Sequence, residues 1–137
     1  MIKFSDIQDA FFFLNSAPYG MHSALLRKDT GQIMYRSEMA DIDEIGDQEL
    51  DWDTCVEIPH KNDLDLGQRL VFEFVETHLP DEYHRVQQIF RKRGAYGRFK
   101  DFLESKGLLE SWYDFEGQRE EQALRQWCEE NEIELSG

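Results

Sequence analysis

The stretch 55–75, CVEIPHKNDLDLGQRLVFEFV, changes its period half-way. Up to Pro59, Val56 and Ile58 flank Glu57, an alternation that suits a short strand closed by a residue with no N–H for a ladder. From there Leu66, Leu70, Val71, Phe74, Val75 and His78 recur at the three-and-four spacing of one helical face. Asn62 or Asp63 is the expected N-cap, because a short polar side chain accepts the hydrogen bond of an early helical N–H. A strand that hands over to a helix here sets the plan of the chain: sheet before it, helices after it.

Toward the N-terminus, residues 22–27 and 32–37 flank Lys28-Asp29-Thr30-Gly31, a polar turn whose glycine supplies the left-handed conformation of a bulged hairpin. On the second arm Ile33 and Tyr35 alternate with Gln32, Met34 and Arg36, so both arms are expected to be strands. Ser5 followed by Gln8 reads as a capping box, and Ile7, Ala10, Phe11 and Leu14 extend it into a helix over 5–15. Residues 38–53 are expected to form a long loop or one short helix over the sheet edge.

Toward the C-terminus, Leu79-Pro80 ends the first of the later helices. Tyr83, Val86, Ile89 and Phe90 make a second, ended near Gly94, and Tyr96, Phe99, Phe102 and Leu103 a third, stopped by Gly107. Leu109, Trp112, Tyr113, Ala123, Leu124, Trp127 and Cys128 predict a long helix or a broken pair, with Gly117 as the weak point. Ile133 and Leu135 suggest a short returning edge strand. The expectation is an α+β fold: an N-terminal helix, a small antiparallel sheet and a C-terminal helical bundle. It is read as one domain over 1–137, in which residues 1–60 supply helix and sheet and residues 61–137 are helical.

The chain has 137 residues, including ten Phe, five Tyr and three Trp, enough core material for a single folded domain. No apolar run approaches the roughly 18 residues of a membrane span, and Asp6 and Asp9 interrupt the only early apolar stretch, so no secretory signal is expected. Cys55 and Cys128 fit no metal spacing and are read as inert core thiols, which agrees with a cytoplasmic location.

The net charge is −14, from 29 acidic and 15 basic residues. It is unevenly spread. Residues 38–53 hold eight carboxylates (Glu38, Asp41, Asp43, Glu44, Asp47, Glu49, Asp51 and Asp53) and no cation, whereas residues 91–100, RKRGAYGRFK, hold five cations and no carboxylate. A uniformly acidic surface repels nucleic acid and anionic membranes. A local basic island still binds at short range, because charges more than about 8 Å apart are largely screened in physiological salt.

Two places carry residue types that do chemistry. The strand–helix junction brings His60, Asp63 and Asp65 together in sequence, which offers an acid or base, a divalent-ion site or an anion site at a helix start. The bland alternative is that Asn62 or Asp63 caps the helix and His60 bonds a carbonyl. The basic turn offers Arg91, Lys92, Arg93, Arg98 and Lys100 around Gly94 and Gly97, a phosphate or carboxylate grip. Tyr96 is a candidate stacking face there. Its bland alternatives are helix-dipole pairing and ion pairs with the chain's own carboxylates. Serine-nucleophile, Walker and Rossmann patterns are absent, so neither a cofactor nor a resident metal is expected.

The strings IPHKNDLDLG, RGAYGRFKDFLE and WYDFE, with ALRQWCEENEIEL after them, resemble one of the uncharacterised bacterial protein families grouped under the UPF label. The resemblance covers residues 5–135 and implies a small bacterial cytoplasmic protein. It brings no activity, ligand or partner with it. The expectation from the residues is therefore a non-enzymatic binding or regulatory module. Its basic corner (Arg91, Lys92, Arg93, Tyr96, Arg98 and Lys100) would engage an anionic ligand: a phosphate, an acidic protein segment or, against the net charge, a nucleic-acid backbone. No membrane partner is expected. The alternative is a metal-assisted phosphoester hydrolase on His60, Asp63 and Asp65. A third possibility is an acidic mimic of nucleic acid, against which the positive corner argues.

Overall fold

The computed structural model describes residues 2–18 and 20–136. It is an α+β chain that divides into two compact units, residues 1–64 with 121–137, and residues 65–120. The first holds the N-terminal helix and the sheets; the second is helical. No helix among the described residues is long and apolar enough to cross a membrane.

In the first unit, β1 (Ile2–Lys3) runs straight into α1 (Phe4–Asn15). The expected capping box does not form: Ser5 lies inside the helix, and the cap position falls on Lys3, which makes no side-chain cap. Strand pairing fixes this start, because Ile2 and Lys3 lie parallel to Leu135 and Ser136 of β6 (Leu135–Ser136). The returning tail thus makes a separate two-stranded sheet with β1.

The main sheet is antiparallel, in the order β4 (Ile42–Asp43), β3 (Ile33–Ser37), β2 (His22–Arg27), β5 (Cys55–Glu57). The hairpin turns as its sequence requires: Gly31 sits at φ 78° and its N–H donates to the Arg27 carbonyl at 2.7 Å. Both faces of this sheet are covered. On one, Phe13 of α1 stacks on His22 at 4.4 Å and meets Tyr35 edge-on at 5.0 Å. On the other, Leu25, Met34 and Cys55 pack with Ile45 and Leu50. Met34, not Ile33 or Tyr35, is therefore the buried apolar residue of β3. The acidic stretch 38–53 is no helix: it adds the edge strand β4 and then lays Ile45 and Leu50 across the sheet face. Its carboxylates are used locally, with Asp43 on Arg36 at 3.0 Å and Glu44 accepting the Tyr35 N–H at 2.8 Å.

The second unit consists of α2 (Gln68–His78), a 3-10 turn at Pro80–Glu82, α3 (Tyr83–Ile89), α4 (Ala95–Ser105) and the start of α5 (Leu109–Glu130). Its core is aromatic: Phe74 and Phe99 both meet Trp112 edge-on, at 5.4 and 5.3 Å. Leu70, Val71, Val75, Val86, Phe102 and Leu103 close around them. α5 is one unbroken helix of 22 residues, so Gly117 does not break it. Residues 121–130 of that helix belong to the first unit. Both cysteines are buried free thiols, and burial raises the Cys128 pKa, an inert state for a thiol.

Candidate functional site

The strand–helix junction spends most of its polar groups on its own backbone. Neither Asn62 nor Asp63 caps α2. Residues Lys61–Leu64 form a 3-10 turn, Asp65 takes a left-handed φ of 57°, and α2 begins only after Gly67. The His60 N–H donates to Asp63 Oδ2 at 3.0 Å and the Asp63 N–H to the His60 carbonyl at 2.9 Å, a reciprocal clasp of the turn. Asn15, at the end of α1, accepts the Lys61 N–H at 2.9 Å and donates to the Phe11 carbonyl at 2.8 Å. His60 Nδ1 accepts the Asn62 N–H at 3.1 Å, so the neutral ring carries its proton on Nε2. Burial, aided by the neighbouring Lys61 charge and opposed by Asp63, lowers the His60 pKa.

His60 and Asp63 do share a cavity of about 170 Å³, with His22, Ser23, Glu57 and Ile58. It opens because the sheet ends unevenly. On the β5 side of β2 the Ala24 carbonyl accepts the Ile58 N–H at 2.9 Å. Antiparallel alternation turns the His22 backbone groups to the same edge, where the chain has already left the ladder at Pro59, while its ring lies under Phe13. His22 Nδ1 is buried there without a hydrogen-bond partner. Two carboxylates and a His60 kept neutral disfavour an anion in this cavity. Asp65 does not line it; its carboxylate lies 3.7 Å from Arg69. Among the described residues no three His, Cys, Asp or Glu side chains converge to hold a metal ion. The hydrolase reading of His60, Asp63 and Asp65 thus lacks a ligand set. His22 and Glu57 were not legible as members of this site, because only the sheet register brings them to His60.

The basic corner is built differently. α3 ends at Ile89, Gly94 turns the chain at φ 73°, and α4 starts at Ala95 with no side-chain cap. Arg91, Lys92 and Arg98 line an open groove of about 640 Å³ together with Arg85, Gln88 and Ile89. All three, and Arg93 outside the groove, are exposed. Among the described residues no carboxylate lies within 4 Å of the charged atoms of Arg85, Arg91, Lys92, Arg93, Arg98 or Lys100; the ion pairs of this unit are Lys106–Glu82, Arg69–Asp65, Arg69–Glu73 and Arg119–Glu73. Arg98 is held in place by its Nη2, which donates to the Ile89 carbonyl at 3.0 Å. Arg85 is held over the Phe102 ring at 5.0 Å. Sequence reading missed Arg85, although its place seven residues before Lys92 on a helical run was a usable signal.

Two of the expected ligands are otherwise engaged. Tyr96 is partly buried against the aromatic core and packs edge-on on Phe90 at 5.1 Å, so its ring is not fully open for stacking. Burial, with the Glu116 charge behind it, raises its pKa. Lys100 is partly buried with its ammonium 5.6 Å from the Tyr113 ring centre, and it does not line the groove. No known protein family, curated protein or solved structure matches the chain.

Proposed function

We propose that the protein is a binding module, not an enzyme, and that the groove between α3 and α4 takes an anionic ligand through Arg85, Arg91, Lys92 and Arg98. One observation carries the reading: in a chain of net charge −14, this cluster of cations has no carboxylate of its own within 4 Å among the described residues. Residues 83–100 contain six Lys or Arg and no Asp or Glu, so the nearest sequence neighbours add no opposing charge. Glu82, three residues before Arg85, and Asp101, three residues past Arg98, are the first carboxylates on either side. A cation left in water stabilises the fold very little; beside an anion it forms charge-assisted bonds. Membership of the UPF-type family would be compatible with this reading and adds no mechanism.

The test uses amide chemical shifts of the whole chain during titration with orthophosphate, tripolyphosphate, oligothymidylate and oligoglutamate. The expected result is that at least one anion shifts the amides of residues 85–98 and that its binding weakens as salt rises. The double variant Arg91→Glu with Lys92→Glu should bind it at least tenfold more weakly. Reversing Arg98 is a poorer test, because that side chain also bonds the Ile89 carbonyl. Wild-type amides that respond to none of the four anions, or a folded variant that binds as well as wild type, would remove the proposal.

A further inference from the structure

We infer that the ligand of this groove is a compact oligophosphate, either a free chain or the phosphate tail of a small molecule, and not an extended strand or peptide. This rests on the anion-binding reading above and makes it specific.

Size favours a small ligand. At about 640 Å³ the groove falls within the roughly 300–1,000 Å³ typical of small-molecule sites. Charge density favours a phosphate chain. Four cations, Arg85, Arg91, Lys92 and Arg98, border this one opening. An extended acidic peptide presents same-side carboxylates only about every 7 Å, whereas an oligophosphate gathers three or four charges in about that length. The form of the donors agrees. Three of the four are guanidinium groups, whose planar forks match phosphate oxygens in pairs. Arg98 and Arg85 are already fixed, on the Ile89 carbonyl and the Phe102 ring, so ordering them costs the ligand little.

What the groove lacks weighs the same way. Its lining contains no aromatic side chain, and the one nearby candidate, Tyr96, is packed on Phe90. Unstacked bases would gain nothing here, so single strands lose their usual source of sequence-independent affinity. A longer polyanion would also run off the groove onto a protein with net charge −14. Ile89 and Gln88 complete the lining.

The experiment is isothermal calorimetry on the full chain at fixed ionic strength, with tripolyphosphate, orthophosphate, adenosine triphosphate, oligothymidylate and oligoglutamate as probes. The inference expects one tripolyphosphate per chain, bound at least tenfold tighter than orthophosphate, and adenosine triphosphate within about threefold of it. Arg91→Gln with Lys92→Gln should weaken tripolyphosphate at least tenfold. Because neither side chain has an ion-pair partner among the described residues and both are exposed, this variant is expected to fold, and its amide spectrum verifies that. Oligothymidylate or oligoglutamate bound more tightly than tripolyphosphate, with the same sensitivity to the substitutions, overturns the oligophosphate inference and leaves the anion-binding reading standing. Adenosine triphosphate bound more than tenfold tighter than tripolyphosphate also overturns it, because that affinity would lie in the base. No binding by any probe, or binding that ignores the substitutions, overturns both.

Discussion

The junction at residues 60–65 and the corner at residues 85–98 look equally promising as strings, yet they solve opposite problems. At the junction a strand must leave its sheet and the chain must turn twice before α2 begins. That leaves backbone N–H groups without ladder or helix partners, and His60, Asp63 and Asn15 supply them. At the corner the backbone closes with a glycine turn and one arginine, Gly94 and Arg98, Arg85 lies over the Phe102 ring, and among the described residues Arg91 and Lys92 have no ion-pair partner. Polar side chains near irregular backbone are usually consumed by it, because an unpaired buried amide costs more than an exposed charge contributes. What stays unspent at a surface is the better functional pointer.

That contrast can be broken in three ways, given from the largest expected effect to the smallest. Asn15→Ala removes the acceptor of the Lys61 N–H and the donor to the Phe11 carbonyl, and should cost about 1–2 kcal/mol in urea unfolding. Asn15→Asp keeps the acceptor and should recover some of that loss. A null effect of Asn15→Ala would mean that the junction is not a structural clasp.

The second concerns pH. The folded chain holds His60 with a lowered pKa, so below the ordinary 6.5 the unfolded chain takes up the proton first. Stability linked to His60 is thus complete above about pH 6.5 and declines as the pH falls through the lowered value. The drop in urea midpoint between pH 7.5 and pH 5.5 should be smaller in His60→Asn than in wild type. Equal drops would show that burial of this ring is not felt by the fold.

The smallest effect sharpens the other side. Arg91→Gln with Lys92→Gln should leave the unfolding free energy within about 0.5 kcal/mol of wild type, as for exposed residues with no partner. A clear loss of stability would mean that these cations serve the fold, and the corner would then resemble the junction.

What was legible in this protein was its periodicity. The alternation in 22–37 and 55–59 and the helical stripes after residue 66 located three of the four main-sheet strands and the later helices, because period follows from backbone geometry alone, whereas β4 carried no such signal. Gly31 and Gly94 marked their turns for the same local reason. The N-cap of α2 was not legible: Asn62 and Asp63 have the right chemistry, but the 3-10 turn and the left-handed Asp65 delay the helix to Gln68. Nor was the burial of Met34 over Tyr35, since a strand covered on both faces loses the one-sided pattern.

The sequence by itself determined the α+β order of elements and the presence of one basic island in an acidic chain, since both depend only on neighbours along the polymer. Tertiary structure alone decided which charges were already answered. It paired Asp43 with Arg36, packed Tyr96 against the core, brought Arg85 to the groove and left Arg91 and Lys92 facing water. The reason is physical: an ion pair forms only when two groups come within a few ångströms, and folding sets that distance across stretches of the chain far apart in sequence.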